Sequence, residues 1–210
     1  MKSAKIRLSE EEQNLVMNGD WILTKNKVLD QITGFLATLQ LSQADWVGEH
    51  ASLLPDEVWA VPAKLSKGEQ YLGLPYRVLD YPRLFSGADM FAVRTLFWWG
   101  HYFTVNLILG GIWKQQTCDA LIASFQALQG REIYICTGSD PWIHRISTED
   151  YRDLATLSRV EWEKIIREQA FVKLTTRHEL TDWEHLDERL LADFERLIRA
   201  TSMEDQLPRR

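Results

Sequence analysis

Between Arg94 and Lys114 the chain runs for nineteen residues without a formal charge, and three of its nine tryptophans fall inside that run. A stretch of this length is long enough to cross a bilayer as a helix. Its content argues otherwise. Gly100, Gly110 and Gly111 interrupt it, and His101, Thr104 and Asn106 sit at mid-depth, where polar groups are costly in hydrocarbon. The residues between them are largely aromatic and β-branched, types that pack well on a pleated surface. The run therefore reads as a hairpin, with 91–99 and 102–110 antiparallel about a two-residue type II′ turn at Gly100-His101, a turn that wants glycine first. One long strand bent at a glycine bulge is the rival arrangement. No membrane span is expected.

The remaining segments arrange themselves around this hairpin. Ser9 with Glu12 forms a capping box that opens a short helix, and an apolar stripe from Trp21 to Leu39 marks a second helix. Residues 40–68 are less regular. Pro75 and Pro82 bracket a short strand from Tyr76 to Tyr81. A helix over 115–129 ends at Gly130, and 131–136 reads as a strand. Ser147 or Thr148 is expected to cap a helix through Leu157, and another follows over 160–171. The stretch FVKLTTRHEL fits a helix or a strand. Thr181 with Glu184 is expected to open a last helix, with Leu186, Leu190, Phe194 and Leu197 on one face and a frayed tail after Thr201. The order predicts an α+β fold. In it a small antiparallel sheet at about 70–136 is packed by helical segments at 1–50 and 147–200, in one domain of 210 residues. A chain this long buries roughly 70% of its unfolded surface, so it needs no covalent staple.

Charge and cysteine usage narrow the partners. The net charge is −6, with acids and bases mixed along the chain. No basic stripe exists to bind nucleic acid or an anionic membrane surface. Two cysteines, Cys118 and Cys136, make no disulfide framework and fit a reducing, cytoplasmic setting. The first residues contain no apolar core of a signal peptide. No nucleophile elbow or dinucleotide fingerprint is present, and Lys64, Lys67 and Gly68 do not have phosphate-loop spacing. The sequence therefore names no reaction and no cofactor, and leaves open whether the chain is an enzyme.

Candidate binding residues come from the hairpin and the strand before it. With a two-residue turn, one face carries Ala92, Leu96, Trp98, Phe103, Val105, Leu107 and Leu109, with Arg94 among them. A guanidinium on an apolar face must be paired or must reach water. Asp80 is its nearest acidic candidate, so Arg94 serves either a structural ion pair or a ligand carboxylate or phosphate. The other face gathers aromatics, Trp99 among them, with Thr104 and Asn106. Tyr76 shares a strand face with Asp80, and Arg83 follows the second proline. His101, between Trp99 and Tyr102, is a candidate for acid–base work. His178, Asp182 and His185 would share a face on one continuous helix and could hold a metal. Thr181 reads better as an N-cap that breaks such a helix, so no metal site is expected. The reading is a small anionic ligand held near the 91–110 hairpin by Arg94, Asp80, His101, Tyr76, Arg83 and Trp99. The alternative is an assembly protein without catalysis, a homodimer formed through a helical face.

Overall fold

The computed structural model describes residues 5–203, so most of the tail expected to fray lies outside the described residues. Seven helices are named here: α1 (Glu10–Met17), α2 (Gly19–Glu49), α3 (Asp56–Trp59), α4 (Gly111–Ala123), α5 (Phe125–Leu128), α6 (Arg159–Glu168) and α7 (Leu186–Arg199). The strands are β1 (Lys64–Tyr71), β2 (Leu74–Ser86), β3 (Asp89–Trp98), β4 (Tyr102–Gly110), β5 (Ile133–Cys136), β6 (Tyr151–Asp153) and β7 (Phe171–Glu179). All pair antiparallel in one sheet of order β1-β2-β3-β4-β7-β5-β6. The α+β class stands, but the sheet is not small. It draws strands from residues 64 to 179, including β6 where a helix was expected and β7 from the stretch that fitted a helix or a strand. No helix among the described residues is long and apolar enough to cross a membrane.

The charge-free run forms β3 and β4, with one correction. The turn has three residues, Trp99 to His101, because Trp98 rather than Trp99 pairs with Tyr102. Gly100 takes φ 73°, and the His101 amide donates to the Trp98 carbonyl at 3.1 Å. A three-residue hairpin needs such a left-handed position, which glycine occupies without strain. Shifting the register by one residue turns all of β4 over. Phe103, Val105, Leu107 and Leu109 therefore join Phe91, Val93 and Phe97 on one face, while Thr104, Asn106 and Ile108 join Arg94 on the other.

The first face is the core side. Leu79, Tyr81, Val172, Leu174, Ile133 and Ile135 extend it, and α2, α4, α6 and α7 cover it. The opposite face is covered by the segment between β5 and β6, residues 137–150, together with Tyr71.

Three other expectations change. β2 continues through both prolines, because Tyr81 and Pro82 form a bulge between the pairs Asp80–Arg94 and Arg83–Ala92. Within such a bulge proline's missing N–H breaks no ladder bond. The helix expected from Ser147 or Thr148 is absent, and Tyr151 to Asp153 pair with Tyr134 to Cys136 as β6. Thr181 and Glu184 cap nothing: β7 runs to Glu179, and α7 starts only at Leu186, behind His185 at φ 56°.

Candidate functional site

One register row crosses the whole sheet on the face covered by 137–150. It runs Lys64, Asp80, Arg94, Asn106, Thr175, Tyr134, Asp153, polar on every strand. Arg94 lies at its centre. Its Nε donates to Asp80 Oδ1 at 2.7 Å and its Nη2 to Asp80 Oδ2 at 3.0 Å, a bidentate fork. Trp142 lies over the guanidinium at 4.8 Å. Asn106 Nδ2 donates to the Arg94 carbonyl at 3.0 Å, and Thr175 Oγ1 to Asn106 Oδ1 at 2.9 Å. Asp80, Asn106 and Thr175 are buried, Arg94 is partly buried, and these four satisfy one another.

Two residues that the sequence did not flag complete this network. His144 stands between Arg94 Nη1, at 3.3 Å from its Nε2, and Lys173 Nζ, at 3.4 Å from its Nδ1. Arginine is always a donor, so Nε2 must accept and the imidazole proton sits on Nδ1. That proton can go only to an amine with a lone pair. A neutral Lys173 fits. Its two N–H groups reach the carbonyls of Pro141 (3.0 Å) and Ile143, and its lone pair faces His144. Burial, with Lys173 and Arg94 adjacent, pushes His144 down to about 2. Burial, helped by Arg94, lowers Lys173 to about 7.

The remaining sequence candidates are scattered. Tyr76 packs near Tyr71 and the buried Trp98, on the Arg94 face but beyond the network. His101 stacks on Trp98 at 3.5 Å, and burial with the charge of Arg177 lowers its pKa. Trp99 packs toward the helices against Phe97. Arg83 donates to the Pro62 carbonyl at 2.8 Å and is half-buried. The structure thus brings together Asp80 and Arg94 and leaves His101, Tyr76, Arg83 and Trp99 apart from them.

A second constellation lies one strand away, where the sheet has a notch. β5 pairs with β7 only over Leu174 to Thr176, so residues 177–179 of β7 have an open edge on that side. A cleft of about 270 Å³ occupies the notch, lined by Arg131, Glu132, Arg177, His178, Arg189, Asp193 and Arg196 among others. Four arginines face two carboxylates. Tyr102 lies under Arg177 at 4.8 Å. Arg189 is tied to Asp182 by an ion pair and by a 2.7 Å bond to its carbonyl. Arg196 pairs with Asp193 one turn away. Arg177 pairs with Glu179 at 2.5 Å, and the carboxylates of Asp182 and Glu179 are both about half exposed. The Nε groups of Arg177 and Arg189 are buried and find no acceptor among the described residues.

No family model matches the chain, and neither any curated protein nor any solved structure does.

His178 Nε2 donates to Asp193 Oδ2 at 2.8 Å inside this cleft. Burial, the largest single influence, raises Asp193, but the hydrogen bonds from His178 and Thr176 and the charges of His178 and Arg196 together outweigh it and hold the carboxyl below its ordinary value. An ionised Asp193 fixes the imidazole tautomer and leaves Nδ1 to accept or carry a proton. No group of three potential metal ligands exists among the described residues. His178 lies on β7, while Asp182 and His185 lie in the turn that follows it, so these three never share a helix face. The sequence did carry one signal for the cleft. Arg189, Asp193 and Arg196 fall on one flank of a helix at i, i+4 and i+7. Their meeting with Arg131 and Arg177 is tertiary and leaves no mark in local pattern.

Proposed function

We propose that the chain binds a small anion at the arginine cleft beside β7, the strand that pairs with β4 of the 91–110 hairpin. The observation that carries this reading is the convergence of Arg131, Arg177, Arg189 and Arg196 on one cleft. Hydrogen bonds from charged donors to a phosphate or carboxylate are short and strong. The carboxylates now holding Arg177 and Arg189 sit in water, where such pairs contribute little, so an incoming anion has little to displace. The Arg94 fork, by contrast, already has its carboxylate.

Thermal unfolding with phosphate, sulfate and succinate tests the reading. An anion that binds only the folded chain raises the midpoint, by the equivalent of about 2.7 kcal/mol at a hundred times its Kd. The Arg131 side chain has no hydrogen-bond or ion-pair partner among the described residues, so Arg131→Gln removes a charge and breaks no side-chain bond. It should weaken binding roughly tenfold, the loss of about 1.5 kcal/mol from one charged hydrogen bond. If all three anions leave the wild-type midpoint in place, the reading is wrong.

A second reading, assembly through a helical face, is favoured by the N-terminal helices. The apolar face of α7 is taken by its own chain: Leu190, Phe194, Leu197 and Ile198 are fully buried. By contrast α1 buries nothing, and Leu15, Val16, Met17, Trp21, Ile22 and Leu23 are exposed around its junction with α2. Exposed apolar clusters of this kind mark contact surfaces. Sedimentation should show concentration-dependent association that Met17→Ser with Trp21→Ser abolishes. A monomer at every concentration would dismiss this second reading.

A further inference from the structure

The arginine cleft does not stand alone. A second cavity, about 430 Å³, continues from it along α7 and shares Ala192 and Arg196 with it. The two together form one trough with unlike ends. One end is the cationic notch. The other is bounded by Ser124, Ala127, Leu128 and Ala200, whose side chains are small or apolar, with Glu195, Arg196 and Arg199 along its α7 side. Leu128 and Ala200 are 1% and 4% exposed and belong to the main core, so this end has a packed floor.

The helix explains why the trough exists. α7 turns one face, with Leu186, Leu190, Phe194 and Leu197, into the core. A second flank carries Arg189, Ala192, Arg196 and Ala200 at spacings of three and four, so these residues line up along the helix. The two alanines leave room between α7 and α5, while the arginines place charge at intervals beside it.

We infer that the anion taken by the arginine cleft is the head of an amphiphile, a phosphate or carboxylate bearing an alkyl chain, whose apolar body lies in the α5–α7 cavity. This rests on the anion-binding reading above. The charge pattern selects the occupant. A free inorganic anion uses the arginines and leaves Ala127, Leu128 and Ala200 of the larger cavity without a partner in the ligand. An uncharged apolar molecule would gain nothing from the four arginines of the notch. Only a molecule that is anionic at one end and apolar at the other matches both ends.

Calorimetric titration of the full chain with inorganic phosphate and then methyl, butyl and hexyl phosphate tests this, with hexanoate as the carboxylate arm. Each added methylene should tighten binding by roughly two- to fourfold, the upper value corresponding to about 0.8 kcal/mol per buried methylene. Ala127 is exposed and lines only the apolar end. Ala127→Trp should therefore fill that end and flatten the series while leaving the affinity for inorganic phosphate unchanged. If phosphate binds but hexyl phosphate binds no tighter, the inference fails and the anion reading survives. If hexyl phosphate binds more tightly but Ala127→Trp has no effect, the chain lies elsewhere and the inference fails. If neither phosphate nor any ester binds, both fall. Comparing hexanoate with hexyl phosphate identifies the preferred head.

Discussion

Lys173 is the residue whose chemistry departs furthest from its type. It has no exposed surface and sits beside Arg94. The donor count around His144 fits a neutral amine, and burial lowers it to about 7 from a usual value near 10.4. The unfolded chain then carries a proton that the folded chain lacks between those two values. Stability should therefore rise with pH from about 7 toward 10, with a slope of up to about 1.4 kcal/mol per unit, and be flat in this component below 7. Urea midpoints of wild type and Lys173→Met across that range check it: the variant should lose the slope, and equal slopes would refute the neutral amine. Little of this was legible in the sequence. Arg94 and Asp80 could be matched because a charge on a strand face demands a partner and the preceding strand offers one. Lys173 lay in a stretch that fitted helix or strand equally. His144 lies in an irregular loop, and nothing local says that such a loop closes over a sheet.

At the scale of elements, legibility followed whether the deciding forces were local. The capping box at Ser9 and Glu12 forms, with Glu12 Oε2 accepting from the Ser9 amide at 2.7 Å. So does one at Ser158 and Glu161. Thr181 and Glu184 have the same spacing and do not cap, because β7 keeps its pairing with β4 as far as Glu179 and the chain must then turn a corner. The 31 residues of α2 outrun the apolar stripe that marked it, since the helix continues along the sheet through Trp46 and Val47. The hairpin was legible as a hairpin, but its turn was one residue too short. That single residue reassigned Phe103, Val105, Leu107 and Leu109 from the face of Arg94 to the core, and it uncovered the polar row that a two-residue turn hides.

The whole molecule is a sheet assembled from distant parts of the chain, and this is why its extent was underestimated. The pairs β1-β2, β2-β3 and β3-β4 join strands adjacent in sequence, though only the last of them was read as a hairpin. β7 is different. It lies between β4 and β5 although it follows both in sequence, so Gly110 meets Phe171 and Tyr102 meets Glu179. That strand order carries a consequence in time. The meander β1 to β4 closes only short loops, whereas the centre of the sheet must wait for a strand made much later. Until Phe171 to Glu179 arrive, β4 offers an unpaired edge of apolar residues, the type of edge that recruits other chains. In refolding, pulse-labelled amides of β2 and β3 should gain protection before those of β7. Amides of β7 protected first would show that the sheet grows from its far side instead. A growing chain that stalls before residue 171 would carry an open seam down the middle of its sheet, and chaperones would have most to hold there.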